Sequence, residues 1–295
     1  MAIVLGLLVA LFYGCGDFFG GVAAKRTPAV TVVLGSFALS AALVAATTAG
    51  WYLVGTPPSP AAPDLWLGVA VGLIGPAAVG LLYRGLAMGR MSVVAPITAV
   101  VAAIVPLVWA LLDGERPSAI ALVGVAIALL SIVLVAGAPE HDDHPDDGAS
   151  APIAQVVPPA VASGLGFGAV FVLLGQTSSD AGLWPLLVAR PVAVVLTALG
   201  ALVLVRRAGD PARAIIPARV AWPAVAGAGV LDIAANAIYL AATKAGLLSI
   251  VAVLSSLYPA ATVVLARIVL GERLHRAQVI GLALAAGGIA AMAAG

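Results

Sequence analysis

The sequence predicts an all-α integral membrane protein, with ten transmembrane helices in two inverted five-helix repeats. Three observations carry that expectation: a composition that only a bilayer accommodates, ten apolar stretches of spanning length, and an internal repeat relating the two halves. Of 295 residues, 63% are hydrophobic and only 9% are charged, which excludes a soluble globular domain. A membrane helix takes about 20 residues, so ten of them consume most of the chain and leave no room for a soluble catalytic domain. The formal net charge of +1 excludes general attraction to nucleic acid, which needs a dense basic surface. Cys15 is the sole cysteine, so neither an intramolecular disulfide nor a cysteine metal site is available.

The apolar stretches run over residues 2–24, 28–54, 65–87, 91–112 and 118–137, then over 153–174, 184–205, 220–242, 247–270 and 277–294. They are continuous and rich in Ala, Leu and Gly, whereas strands of outer-membrane barrels are short and alternating. The first stretch lacks a basic n-region, exceeds the apolar length of a secretory signal and carries Asp17, so it reads as a retained helix. Between the two sets lies Pro139-Glu140-His141-Asp142-Asp143-His144-Pro145-Asp146-Asp147-Gly148, with five acids and no Lys or Arg. Such a segment has too little apolar surface to fold and reads as a solvated linker. Its His141 and His144 have the spacing for a divalent metal but no apolar shell to hold one. The expected organisation is therefore a first unit at 1–138, an acidic linker at 139–152 and a second unit at 153–295.

The halves align in sequence. Ser92 falls on Ser249, Ala95 on Ala252, Gly114-Glu115-Arg116 on Gly271-Glu272-Arg273, Gly124 on Gly281, Trp66 on Trp222 and Tyr83 on Tyr239. Scattered Ala and Gly matches are expected by chance in so apolar a chain; ordered polar and aromatic ones are not. With an odd number of helices per unit, the second copy enters the membrane from the opposite side. Inverted repeats are a recurrent build of secondary transporters, with a site near the bilayer midplane.

Two five-helix units, each closing its fourth helix with Gly-Glu-Arg before a fifth helix that starts near a Gly, resemble the EamA-type members of the drug/metabolite transporter superfamily. The resemblance spans nearly the whole chain. Pro259 stands where that pattern usually has a mid-helix proline, while the first unit has Ala102 there, with Pro96 and Pro106 nearby. Family membership implies a ten-helix carrier, often an exporter of amino acids, metabolites or toxic compounds.

Orientation follows from the Lys and Arg near helix ends. One face collects Lys25, Arg26, Arg84, Arg90, Arg206, Arg207, Arg213, Arg219, Arg267, Arg273 and Arg276, against Arg116 and Lys244 on the other. The richer face is expected to be cytoplasmic, which places both termini outside an inner or plasma membrane.

Chemistry at membrane depth falls to polar groups whose insertion costs about 2.5–3.5 kcal/mol each. Asp17, Arg190 and Asp232 qualify. Asp232 lies near the middle of the eighth helix, with Asn236 four residues on and Tyr239 continuing that face; these are expected to bind substrate or couple transport to protons, unless Asp232 serves a structural ion pair. Tyr13 precedes Asp17 by one turn. Gly16-x-x-x-Gly20 and Gly164-x-x-x-Gly168 read as close-packing seams. Tyr13 aligns with Phe167, Asp17 with Phe171 and Asp232 with Pro76, so neither acid is a duplicated scaffold feature. Arg190 either pairs with an acid or receives an anionic substrate. Pro259 removes the helical partner of the Ser255 carbonyl, and Ser256 adds a hydroxyl beside it. The expected partners are a small-molecule substrate and membrane lipid, with no cofactor and no nucleic acid; a fused pair of units is compatible with a monomer or a homodimer. The rival readings are a membrane enzyme using Asp17 and Asp232 as an acid pair, and a channel. The first lacks any intramembrane His or hydrolase motif, and the second lacks a continuous polar stripe.

Overall fold

A computed structural model describes residues 1–24, 27–55, 59–87, 91–136, 153–208, 221–270 and 275–295. Among them the chain is helical, without strands. The elements are α1 (Ala2–Ala24), α2 (Ala29–Val54), α3 (Ala62–Ala87), α4 (Met91–Leu112), α5 (Ala119–Ala136), α6 (Ile153–Gly175), a 3₁₀ turn (Ser179–Ala181), α7 (Trp184–Ala208), α8 (Trp222–Ala245), α9 (Leu248–Ser255), α10 (Tyr258–Leu270) and α11 (Arg276–Ala294). Seven are long and apolar enough to span a bilayer alone; further apolar helical stretches cover Ile97–Leu112, Ala119–Val135 and Leu248–Thr262, the last of them interrupted. The acidic linker and the second Gly-Glu-Arg lie outside the described residues.

The interruption is a departure from the single ninth helix expected over 247–270. Pro259 has no N–H to give the Ser255 carbonyl, so the helix stops at Ser255, turns through Ser256 and Leu257, and restarts at Tyr258 with the proline in its first turn. The 8 and 13 residues of α9 and α10 rise about 12 and 20 Å at 1.5 Å per residue, enough together to cross a bilayer core. By contrast, α4 runs unbroken through Pro96 and Pro106.

The outer surface is apolar. Trp66, Ile268, Leu199 and Val195 stand exposed, which in water would be an aggregation hazard and in lipid is the solvent-matched face. Inside, small residues let helices approach and hydroxyls bridge them. A Cβ at Gly164 or Gly168 would run into Val101 or Val105 of α4, and one at Gly14 into the Tyr258 carbonyl and Ala261 of α10. Ser40 donates to the Gly229 carbonyl at 2.8 Å, Ser163 to that of Ala78 at 2.8 Å, Thr98 to that of Ala160 at 3.1 Å and Thr262 to that of Gly14 at 3.0 Å.

The helix pairs are reciprocal between the halves. α1 packs on α8 as α6 packs on α3; α4 packs on α6 as α9 and α10 pack on α1; α2 meets α8 as α7 meets α3; and α5 lies against α11. Reciprocity extends to residues, since Gly124 packs on Met292 while its repeat counterpart Gly281 packs on Val135. Those two contacts make α5 and α11 antiparallel.

At the helix ends on one side of the bundle, acids tie the halves together. Gly114 ends α4 with φ of 101°, a left-handed conformation that glycine adopts without a Cβ penalty. The turn delivers Glu115 to the start of α9, where its carboxylate accepts the Leu248 N–H at 2.7 Å, the Ser249 N–H at 3.1 Å and the Ser249 hydroxyl at 2.6 Å. Arg116 then donates to the Leu111 carbonyl at 3.1 Å. The first Gly-Glu-Arg is thus a turn, a cap and a tether. Asp64 similarly accepts the Ser178 N–H at 2.7 Å and hydroxyl at 2.8 Å, and Lys244 donates to the Gly175 and Thr177 carbonyls that close α6. Glu115→Ala is expected to lower the unfolding free energy in detergent by about 1–2 kcal/mol, the scale of a lost helix cap. Glu115→Gln should fall between, and a wild-type unfolding midpoint for Glu115→Ala would show that the tether contributes nothing.

Candidate functional site in the centre of the bundle

Asp232 projects from α8 toward α7, where Arg190 meets it with Nη2 2.6 Å from Oδ2. Asn236 stands one turn on and donates to Asp232 Oδ1 at 3.1 Å and to its backbone carbonyl at 2.8 Å. The guanidinium carbon of Arg190 lies 4.9 Å from the centroid of Phe37 on α2, a cation–π contact. Arg190 is buried, with a side chain only 7% exposed against 21% for Asp232. Its Nε has no hydrogen-bond partner. Of the two roles open to Arg190 in the sequence, the structure therefore places it against an acid.

Asp17 sits apart from that pair. It lines a cavity bounded by α1, α2, α3, α6, α8 and α10 and shared with Asp232. No hydrogen bond or ion pair joins Asp17 to another described residue. Of the eleven Phe and Tyr residues in the chain, six line this cavity: Tyr13, Phe37, Tyr83, Phe167, Phe171 and Tyr258. In a chain so poor in aromatics that concentration marks a built wall. A second cavity adjoins it, holding Arg190, Asn236 and Pro76, and Tyr13, Phe37, Val79, Phe167 and Asp232 border both. The ion pair therefore stands at the partition between the two spaces. Pro76 lies inside α3 and has no N–H to give the Gly72 carbonyl, and both residues border this second cavity.

The remaining residues singled out in the sequence divide. Tyr13 is in the wall, its ring 5.9 Å from Phe171. Tyr239 lies behind the wall: it stacks on Phe171 at 4.6 Å and 20° and donates its hydroxyl to the Phe171 carbonyl at 3.2 Å. Ser255 donates back to the Val251 carbonyl at 2.7 Å, while the buried hydroxyl of Ser256 has no partner. Neither serine borders the cavities. Ser36, Phe37, Tyr83 and Tyr258 were not foreseen, because an aromatic or serine on an apolar helix gives no signal until the topology brings six helices together. The one available clue was Phe167 and Phe171, the repeat counterparts of Tyr13 and Asp17.

The chain belongs to the EamA-like transporter family, whose model matches residues 1–137 and 157–294. This places it in the drug/metabolite transporter superfamily as a multi-pass membrane transporter. A search of curated proteins returns no match. Among solved structures, one crystal structure superposes with a TM-score of 0.73 over 98% of this chain and 95% of the other, at 20% identity, which shows a shared fold.

Removing one member of a buried ion pair leaves the other charge unpaired, at about 3–5 kcal/mol. Arg190→Met or Asp232→Asn alone is thus expected to depress the thermal unfolding midpoint more than the double variant does. Strict additivity of the two single effects would mean the pair is not coupled.

Proposed function

We propose that the protein is a secondary active carrier that exports a small solute by alternating access, driven by protons exchanged at Asp17. The observation that carries this reading is the unpartnered carboxylate in a cavity formed jointly by helices of both halves. Residues 1–138 and 153–295 act as the two repeats, inverted relative to the membrane, with 139–152 as their connector. The reciprocal helix pairs and the antiparallel α5–α11 contact favour this, since a two-fold axis exchanging antiparallel helices runs perpendicular to them. The proposed location is the cytoplasmic membrane with the linker inside and both termini outside, on the strength of the Lys and Arg distribution.

Sequence alone favours Asp232 as the coupling residue. The ion pair with Arg190 argues for Asp17 instead, because a carboxylate held by a guanidinium is committed to its charge, whereas one without a partner is free to exchange a proton for a ligand. The same geometry disfavours the acid-pair enzyme, since Asp232 is engaged by Arg190.

In proteoliposomes, solute flux from a metabolite panel should respond to an imposed pH gradient in wild type and lose that response in Asp17→Asn. Unchanged gradient dependence in Asp17→Asn would remove Asp17 from the coupling. Reporter fusions at the linker and C-terminus read the orientation in cells: an alkaline phosphatase active at the linker would reverse it.

A further inference from the structure

We propose that Tyr83 is a positioning residue of the transport cycle: its hydroxyl bonds the Asp17 backbone carbonyl in the conformation where Tyr239 releases Phe171, and so closes the end of the cavity away from the Glu115 and Asp64 tethers. This rests on the carrier reading above and names the two side chains whose hydrogen bonds alternate.

The two tyrosines are repeat counterparts that stand toward opposite ends of the bundle. Asp64 at the start of α3 and Lys244 at the end of α8 both bond the backbone where α6 closes. Tyr239, six residues from the end of α8, therefore lies toward that tethered end, and Tyr83, four residues from the end of α3, toward the other. Both are buried, at 0% and 4% exposure, yet only one is bonded. Tyr239 stacks on Phe171 at 4.6 Å and donates to its carbonyl at 3.2 Å, which holds the cavity wall to α8 on the tethered side. Tyr83 borders the cavity and makes no hydrogen bond among the described residues.

The repeat supplies the missing acceptor. Where Tyr83 falls on Tyr239, Asp17 falls on Phe171, so the backbone carbonyl that corresponds to the acceptor of Tyr239 is that of Asp17. The phenol is already at the right helix. A Cβ at Gly20 would meet the Tyr83 hydroxyl and ring before anything else, so the tip of Tyr83 lies over Gly20 on α1. Residues three apart share a helix face, and the Asp17 carbonyl is about one helical turn, or 5 Å, away along that face. Gly20 also leaves the phenol room to travel, since its repeat counterpart is the fully buried Leu174. Exchanging the Tyr239 hydrogen bond for its counterpart at Tyr83 keeps the two conformations close in energy, as a reversible carrier requires. Inverted repeats reach their second state by such an exchange of roles between halves.

The test is the rate at which a membrane-impermeant maleimide reaches a single cysteine in the cavity. Val71 borders the second cavity from the first half of α3, and Val71→Cys in a Cys15→Ala background places the thiol there. Labelling is followed in intact cells and in inverted membrane vesicles; the preparation in which Asp180→Cys, on the exposed 3₁₀ turn, reacts is the one that presents the tethered face. From that face the Val71→Cys rate reports the conformation open at the tethered end. Tyr83→Phe keeps the ring and removes the donor, and is expected to slow this rate about three- to tenfold, the scale of one hydrogen bond. Tyr239→Phe is expected to speed it by a similar factor, and the double variant to return close to the wild-type rate. Tyrosines that only pack would not give opposed and compensating shifts. An unchanged or faster rate in Tyr83→Phe, or a double variant as slow as Tyr83→Phe alone, overturns the proposal. Solute flux in proteoliposomes keeps the two readings apart. Labelling from both faces that is indifferent to Tyr83→Phe, in a protein that moves solute, ends the role of Tyr83 and leaves the carrier reading standing. Labelling confined to one face in the wild type, with no solute moved, ends the carrier reading and the alternation of the two tyrosines with it.

Discussion

Everything in the interior depends on how three ionisable side chains are accommodated at membrane depth. Each carries an insertion cost of a few kcal/mol, and the fold compensates two of them with each other. Asp232 and Arg190 meet at 2.6 Å, Asn236 fixes the carboxylate from one turn away and Phe37 lies 4.9 Å from the guanidinium carbon. Three helices are thereby related, and Asp17 is left without an ion-pair partner among the described residues. In the proposed carrier a proton and a solute take that place in turn.

The scaffold around this imbalance is built to be tight at the helix crossings and open at the centre. Glycines admit neighbouring helices along α1 and α6, and hydroxyls of α2, α4, α6 and α10 bond carbonyls on facing helices. Where those contacts stop, aromatic rings hold the helices apart. The tethers through Glu115 and Asp64 join the first half to the second at one end of the bundle, where any rocking of the halves must release or carry them. The break at Ser256 and Leu257 brings Tyr258 to the cavity at the start of a fresh helix.

Composition and hydropathy made the helices legible, because a bilayer demands about 20 apolar residues in a row and offers few other solutions. The repeat was legible in Gly-Glu-Arg and the paired tyrosines. Asp17, Arg190 and Asp232 stood out since charge at that depth is costly. Their pairing did not: three residues on three helices carry no sequence record of which two meet, and Asp232 stands out for coupling only through its mid-helix position with Asn236 four residues on, where a structural ion pair is equally open. The end of α9 was half legible, as Pro259 signals a disturbance but equally fits a kink. Tyr83 and Tyr258 were invisible as wall residues, and Tyr239 looked like one, because on an apolar helix the face that meets a cavity is set by partners distant in sequence.

The central claim is that Asp17 is the free carboxylate and Asp232 the committed one. Carbodiimides modify protonated carboxyls within membranes and spare carboxylates held in ion pairs. Treating the protein in membranes with dicyclohexylcarbodiimide and mapping the adduct by mass spectrometry tests the claim directly. The account predicts modification at Asp17, little at Asp232, and protection of Asp17 by a bound solute. Modification of Asp232 with Asp17 untouched would contradict it.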